Sequence, residues 1–180
     1  MKEAVKSKTE KIFLIGFMGS GKTSFGKKLA IYLEKEFIDL DHEIEKKEKL
    51  SINEIFLVKG ETYFRNKESQ ILKTVVEKKD AVFALGGGTV CYNENLAFLK
   101  ENGILVYLEL PIKTILGRLR KDNQNRPLIK DLDSKDFISK ISNLFSQREV
   151  FYKQADIILD AQISKSKLKR QIADFIENQK

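Results

Sequence analysis

One stretch near the start of the chain has the composition and spacing of a phosphate-binding loop. It reads Gly16-Phe17-Met18-Gly19-Ser20-Gly21-Lys22-Thr23 and matches the pattern G-x-x-x-x-G-K-[ST] in full. An apolar run, Ile12 to Ile15, precedes it, and a helical pattern begins at Lys22. Glycines let successive backbone N–H groups point at a phosphate, and the helix directs the positive end of its dipole there. The loop predicts nucleoside triphosphate binding, with Lys22 on the β and γ oxygens and the Thr23 hydroxyl on Mg²⁺.

The patterns of two other nucleotide-binding classes are missing. A GTPase needs Asn-Lys-x-Asp for guanine, and Asn66-Lys67 continues instead as Glu68-Ser69. A motor ATPase usually ends a hydrophobic strand in a metal-binding acid. Here the run Ala81 to Leu85 leads into three glycines, and Asp160, which follows an apolar run late in the chain, is interpreted as part of a turn.

Two acids follow the second apolar run, in Phe37-Ile38-Asp39-Leu40-Asp41. If this segment stays extended, both carboxylates face the same side, beyond the carboxyl end of a strand and near the bound phosphates. One acid could then hold water on Mg²⁺ while the other accepts a proton from an attacking hydroxyl. The alternative is a solvated strand end or a helix cap.

Two arginines differ in what their neighbours predict. Arg148 lies three residues after Phe145 on one apolar stripe, so we expect it to face inward and to need a buried carboxylate or an anionic ligand. Arg65 has Glu61 and Glu68 at helical spacing, which by themselves indicate ordinary helix-surface pairs.

Two further segments could contact a ligand. Gly86 to Gly88 have no Cβ, which permits close approach to backbone N–H groups, although a flexible strand exit is the plainer alternative. The polar interval Arg120 to Asp133 predicts a mobile loop. With Arg118, Arg120 and Arg126 it could fold over the triphosphate and neutralise charge, or it could be merely solvated.

Strand-like and helix-like segments alternate along the chain, which predicts an α/β fold with a mostly parallel sheet covered on both faces. The predicted strands are Ile12 to Ile15, Glu36 to Leu40, Ala81 to Leu85, Ile104 to Leu108 and Asp156 to Leu159. Helices are predicted from Lys22, from Ser51 to Gly60, from Glu61 to Glu77, from Pro111, from Ser134 and around Leu168 to Ile176.

Composition limits the class of protein. The length of 180 residues predicts one domain. The net charge is +7, but the lysines are spread along the chain and interleaved with glutamates, which argues against nucleic-acid binding. No apolar run approaches the roughly 20 residues of a membrane helix, and Met1 to Glu10 has no secretory pattern. With Cys91 as the single cysteine, we expect a cytoplasmic protein whose partners are anionic small molecules.

The order of these motifs resembles that of shikimate kinases. The motifs are Gly16 to Thr23, Phe37 to Asp41, Gly60-Glu61 through Phe64-Arg65 to Glu68, Gly86 to Gly88, Arg126-Pro127-Leu128, and Arg148 with Tyr152. The resemblance extends from Ile12 to about Ala155. Each motif is weak alone, and together they are specific.

The resemblance implies a three-layer P-loop kinase fold, similar to nucleoside-monophosphate kinases, with a five-stranded parallel sheet. It also implies ATP-dependent phosphorylation of the 3-hydroxyl of shikimate, with Mg²⁺, in the route to chorismate and aromatic amino acids. We expect one domain over residues 1–180, a substrate flap around 41–70, a lid around 120–133, and a monomer.

Residue roles follow from the same resemblance. Asp41 is the expected base, Lys22 and the lid arginine Arg126 complete the catalytic set, and Asp39 joins Thr23 on the magnesium side. The expected shikimate-binding residues are Asp41, Arg65, Gly86, Gly87, Gly88 and Arg148, where Arg65 replaces the structural interpretation above. The expected nucleotide-binding residues are Gly19, Ser20, Gly21, Lys22, Thr23, Ser24, Arg120 and Arg126, with Arg118 left open as the adenine contact instead of Arg120.

Two alternatives remain at this point. A gluconate kinase also phosphorylates a hydroxylated carboxylate. An ATP-responsive regulatory module would bind nucleotide without needing a small hydroxy acid for turnover.

Overall fold

A computed structural model of the chain describes residues 11–77, 81–121 and 134–178. Five strands are present in these ranges: β1 Lys11–Ile15, β2 Glu36–Asp39, β3 Ala81–Ala84, β4 Ile104–Glu109 and β5 Ile157–Asp160. The helices are α1 Lys22–Tyr32, α2 Leu40–Glu48, α3 Ile52–Val76, α4 Asn95–Asn102, α5 Ile112–Lys121, α6 Ser134–Tyr152 and α7 Lys165–Glu177, with a 3-10 turn at Thr89–Cys91.

The strands form one parallel sheet in the order β2-β3-β1-β4-β5, as the alternating pattern predicts. The first strand is central, and its Phe13 is in register with Phe83 of β3 and Leu105 of β4. Asp39 of β2 is in register with Ala84 of β3. All carboxyl ends therefore meet at one edge, where ligands of open α/β sheets bind.

Helices cover both faces of the sheet, which confirms the three-layer architecture. Successive side chains of β1 enter opposite cores, since Ile12 and Leu14 pack with α1 and α7 while Phe13 and Ile15 pack with the other helices. This is the alternation that an extended strand imposes when both faces are buried. The apolar β1 therefore holds the start of the phosphate loop rigidly between two cores.

The segment after β2 is helical, so the expectation that the chain stays extended to Asp41 is wrong. The strand ends at Asp39, which is the N-cap of α2, and Asp41 lies in the first helical turn. Acids in that turn and Lys46 and Lys47 in the last turn complement the helix dipole. Only Leu40 and Ile44 of α2 are buried, so the apolar pattern was too sparse to predict a helix. The short α4 was also missed.

The long helix α3 confirms two predicted helices joined at a kink. Ser51 caps it, because its hydroxyl accepts from the backbone N–H of Glu54, and Glu54 accepts in return from the backbone N–H of Ser51. At Gly60 the backbone has φ 80° and ψ 171°, which is not helical. The predicted boundary at this glycine is therefore correct.

Some expectations fall outside the described ranges or are untested by them. Arg126 and most of the expected lid, 120–133, lie outside, as do residues 1–10. The single domain, the flap, the monomeric state and the cytoplasmic location stay predictions. In the described part of the chain, no helix is long and apolar enough to cross a membrane.

Close packing of α1 on the sheet generates a prediction about two helical glycines. A Cβ on Gly26 would lie 2.6 Å from Cε2 of Phe37 and 3.0 Å from Cδ1 of Leu14. A Cβ on Gly117 of α5 would meet nothing within 4 Å. Gly26→Ala should therefore lower the free energy of unfolding by roughly 1–3 kcal/mol. Gly117→Ala should raise it by roughly 0.5–1 kcal/mol through helix propensity. Chemical denaturation of both variants checks this, and equal effects would contradict it.

Candidate active site

Three glycines of the phosphate loop, Gly16, Gly19 and Gly21, have a positive φ that favours glycine, and the first and last of them mark the two ends of the turn. Gly16 has φ 141°, and a Cβ there would lie 2.9 Å from the carbonyl oxygen of Leu108. Gly21, the N-cap of α1, has φ 92°. Because both values lie in the left-handed range, the glycines of the motif are a structural requirement of the turn from β1 into α1.

Lys22 lies across this loop. Its Nζ donates to the carbonyl oxygens of Gly16 at 2.7 Å and Phe17 at 3.1 Å. The side chain is buried, so its charge is held within the loop itself. An ammonium placed there is positioned to meet the anionic oxygens of a nucleotide whose phosphates enter the loop.

Two oxygen donors face each other beside the loop. The Thr23 hydroxyl donates to Oδ2 of Asp39 at 2.8 Å. Hydroxyl and carboxylate oxygens suit Mg²⁺, which keeps several waters when it binds few protein ligands. No cluster of three or more His, Cys, Asp or Glu side chains that could hold a metal occurs in the part of the chain that the structure describes. The pair therefore fits a hydrated magnesium ion that nucleotide phosphates also bind.

A cavity of about 330 Å³ joins the loop to the ends of β2 and β3. Its walls include Lys22, Thr23 and Ser24 of α1, together with Asp41 of α2 and the glycines Gly86 and Gly87 after β3. The predicted nucleotide residues and the predicted base therefore share one space, even though α2 and not an extended strand carries Asp41.

The environment of Asp41 makes it a proton acceptor near neutral pH. Burial raises its pKa from the ordinary 3.8 to about 7, and the negative charges of Glu68 and Asp39 act in the same direction. Lys22 opposes this rise. A carboxylate tuned in this way can take a proton from a hydroxyl and hold it, which is what general-base catalysis requires.

Arg65 is buried and not on the helix surface. Its guanidinium donates to Glu68 at 2.8 Å and to Glu61 at 3.2 Å, so both pairs expected from helical spacing are present. The ring of Tyr92 lies 4.5 Å from Cζ. A Cβ on Gly88 would lie 2.7 Å from Nη2. Arg65 therefore lies against the backbone of the glycine segment, where a side chain would exclude it.

Arg148 faces inward, as its position on the apolar stripe predicts. It is 5% exposed, and its Cζ lies 5.8 Å from the Phe17 ring centroid. A Cβ on Gly87 would lie 3.6 Å from Nη1, and the Tyr152 hydroxyl donates to the carbonyl oxygen of Gly87. Within the described ranges, no carboxylate forms an ion pair with Arg148. The sequence left two partners open for Arg148, a buried carboxylate or an anionic ligand. These contacts favour the anionic ligand.

The two arginines at the end of α5 differ in position. Nη1 of Arg118 donates to the carbonyl oxygens of Gly19 at 2.9 Å and Ser20 at 3.4 Å. Arg120 is exposed, and no contact with the phosphate loop is found for it. Arg118 is therefore the arginine that lies beside the nucleotide end of the cavity.

Comparison with known proteins identifies the family. The profile of the family described as shikimate kinase matches residues 18–177. The chain belongs to the shikimate kinase family. A shikimate kinase of Persephonella marina is 42% identical over 146 residues, covering 81% of this chain and 85% of the relative. A shikimate kinase of Alkaliphilus oremlandii is 45% identical over 141 residues, covering 78% and 82%.

A solved structure shows the same relationship. The shikimate kinase of Acinetobacter baumannii, solved in complex with shikimate, superposes with a TM-score of 0.86 at 36% identity. The match covers 97% of this chain and 96% of the other. The fold and family predicted from the motif order are therefore confirmed.

The expected shikimate kinase residues converge at one edge of the sheet, apart from Arg120, which is exposed, and Arg126, which lies outside the described ranges. Sequence reasoning named Glu68 only as a partner of Arg65 and at the end of a motif, and it missed Thr89. Their hydrogen bond spans 21 positions, and no local pattern indicates it. The one available signal was the position of Thr89 directly after the three glycines.

The raised pKa of Asp41 makes stability depend on pH. The folded state favours the protonated acid, so this residue contributes stability that is present below pH 3.8 and is lost as the pH rises to about 7. Asp41→Asn should unfold with a free energy higher than wild type by up to about 4 kcal/mol at about pH 8, and with no difference below about pH 4.

Urea denaturation of the ligand-free protein across this pH range is the measurement. Glu43→Gln, on the same helix but outside the cavity lining, is the matched control for the loss of a carboxylate from α2. An Asp41→Asn variant no more stable than wild type at the higher pH would contradict the electrostatic account.

Proposed function

We propose that this protein is a shikimate kinase, which transfers the γ-phosphoryl group of ATP to the 3-hydroxyl of shikimate. The observation that carries the proposal is the single cavity in which Lys22 of the phosphate loop faces Asp41. Two buried arginines beside the adjoining glycines supply what a carboxylated acceptor needs. Similarity to a shikimate kinase solved with shikimate supports the choice of acceptor.

The acceptor binds, in this proposal, between Asp41 and the two arginines. Arg65 and Arg148 hold the carboxylate of shikimate, and the backbone of Gly86 to Gly88 lines the ring. Both guanidinium groups lie against this glycine segment, so they can reach one small ligand. Asp41 binds the ring hydroxyls and takes the proton from the attacking 3-hydroxyl. Since the reaction is an in-line transfer, positioning these groups supplies most of the catalysis.

The nucleotide binds at the opposite side of the cavity. Gly19, Ser20, Gly21 and Ser24 surround the phosphates, and Lys22 neutralises their charge. Thr23 and Asp39 hold a magnesium ion, which neutralises phosphate charge when bound. Arg126 stabilises charge on the transferred group. The expected flap 41–70 and lid 120–133 close on the substrates to exclude water, within a monomer of one domain.

Removing the base should lower kcat, and removing a carboxylate anchor should raise the KM for shikimate, while both changes should spare nucleotide binding. Asp41→Asn keeps the shape of the side chain and should lower kcat by about a hundredfold or more, since general-base catalysis is lost. Arg148→Ala should raise the KM for shikimate by about tenfold or more, since a charge-assisted contact is lost. A coupled assay with shikimate and ATP measures both, and the affinity for an ATP analogue should stay within about threefold.

Matched variants make this test specific. Glu43→Gln should retain full activity, and Arg148→Lys, which keeps the charge without the bidentate geometry, should fall between wild type and Arg148→Ala. Full activity of Asp41→Asn would contradict the assignment of the base. Turnover with gluconate and not shikimate would favour the alternative kinase, and turnover with neither would favour a regulatory module.

The position of Arg118 predicts which arginine contacts the nucleotide. Arg118→Ala should raise the KM for ATP by about fivefold or more, because hydrogen bonds to the loop and a contact with adenine are both lost. Arg120→Ala should change this KM by less than about twofold, because no hydrogen bond between its described side chain and the phosphate loop is found, in contrast to Arg118. Steady-state kinetics with ATP varied at saturating shikimate compare the two. A larger rise of the KM for ATP in Arg120→Ala than in Arg118→Ala would indicate that Arg120 contacts the adenine.

A further inference from the structure

A buried carboxylate lies between helix α3 and the turn that follows the three glycines. Glu68 is 0% exposed, and its two oxygens have different partners. Oε2 accepts from Nη1 of Arg65 at 2.8 Å, and Oε1 accepts from the hydroxyl of Thr89 at 2.6 Å. A carboxylate removed from water is stable only when its oxygens are hydrogen-bonded. Thr89 therefore provides one of the two hydrogen bonds described here that hold the Glu68 carboxylate in place.

Thr89 is itself held firmly at this position. It is fully buried at the start of the 3-10 turn Thr89–Cys91. Its backbone N–H donates to the carbonyl oxygen of Gly86 at 3.3 Å, and its carbonyl oxygen accepts from Nδ2 of Asn95 at 2.9 Å. The Thr89 hydroxyl thus connects the glycine segment after β3 to the helix that carries Arg65.

The orientation of Arg65 depends on Glu68 more than on its other acidic partner. Glu61 is half-exposed and lies farther away, at 3.2 Å from Nη2. An exposed partner contributes little because solvent screens it. The guanidinium also lies close against Gly88, since a Cβ there would lie 2.7 Å from Nη2. A shift of the Glu68 carboxylate would therefore move the guanidinium within a tight site.

We propose that Thr89 is a positioning residue for the acceptor substrate: its hydroxyl fixes Glu68, and Glu68 fixes Arg65 in the orientation that binds a carboxylate. This inference rests on the proposed function, in which Arg65 binds the carboxylate of shikimate. Without the hydroxyl, Oε1 of Glu68 loses a buried donor. The carboxylate is then free to rotate, and this rotation loosens its hold on Arg65.

Replacing the hydroxyl with a methyl group of similar shape tests the proposal. Thr89→Val should raise the KM for shikimate by about tenfold, while kcat and the KM for ATP stay within about threefold. Thr89→Ser, which keeps the donor, should stay within about threefold of wild type in all three. Asn95→Ala is the control for the turn, because it removes the bond to the Thr89 carbonyl oxygen without touching Glu68. An equal rise in the shikimate KM in Asn95→Ala would overturn the proposal.

An acceptor analogue separates positioning of Arg65 from general loosening. The probe is the shikimate derivative in which a hydroxymethyl group replaces the carboxylate. Wild type should prefer shikimate by about a hundredfold in kcat/KM, and Thr89→Val should reduce this preference by about tenfold. An unchanged preference in Thr89→Val would overturn the role of Thr89 and leave the proposed function standing. No preference in wild type would refute carboxylate binding by Arg65, and with it both proposals.

A second variant keeps the test decisive if Thr89→Val does not fold. Glu68→Gln has the same shape as the native residue and can still accept from the Thr89 hydroxyl, but it places no negative charge on Arg65. It should lower the preference for shikimate over the hydroxymethyl analogue as Thr89→Val does. Thermal unfolding establishes that the variant is folded at the assay temperature. A folded Glu68→Gln variant with the wild-type preference would refute the proposal.

Discussion

Desolvation of charge is the constraint on which this site depends. Lys22, Arg65, Glu68 and Arg148 are all buried at the carboxyl edge of one sheet, where water is not available to stabilise them. Each needs an oppositely charged or polar partner, because an isolated buried charge is costly. Loop carbonyl oxygens accept from Lys22, and Glu68 accepts from Arg65. Within the described ranges Arg148 forms no ion pair with a carboxylate, so its burial favours an anionic ligand beside it.

The burial of β1 and the parallel pairing of the strands determine where these charged residues lie. The apolar β1 is buried on both faces and ends at Ile15, which forces the chain to turn immediately into the phosphate loop. Parallel pairing then brings the end of β3, and so the three glycines, beside that loop. Because a parallel sheet gathers all strand ends at one edge, residues far apart in sequence, such as Lys22 and Arg148, come to the same place.

The sequence predicted the sheet, the two cores and the phosphate loop, because these depend on local periodicity and on glycine chemistry. It also predicted that Arg148 is buried, from a single helical stripe. Helix α2 was missed because only Leu40 and Ile44 of its residues are buried. The contact between Glu68 and Thr89 could not be predicted, since it joins a helix to a turn after another strand. The position of Arg118 depends on how α5 packs on the loop, which periodicity does not specify.

The kink at Gly60 divides α3 into two parts that differ in exposure and in the residues that they carry. Beyond Gly60, the helix carries Arg65 and Glu68 and packs into the core, whereas Leu57 and Val58 before it are 87% and 71% exposed. Ile55 before the kink is nevertheless buried in the core, and Lys59 forms an ion pair with Glu48 of α2. A Cβ at Gly60 would touch nothing within 4 Å, and a rotation at this residue would move the part of the helix before it relative to Arg65 and Glu68. In the function proposed above, binding of the substrate carboxylate by Arg65 and closure of the flap would then be separate events.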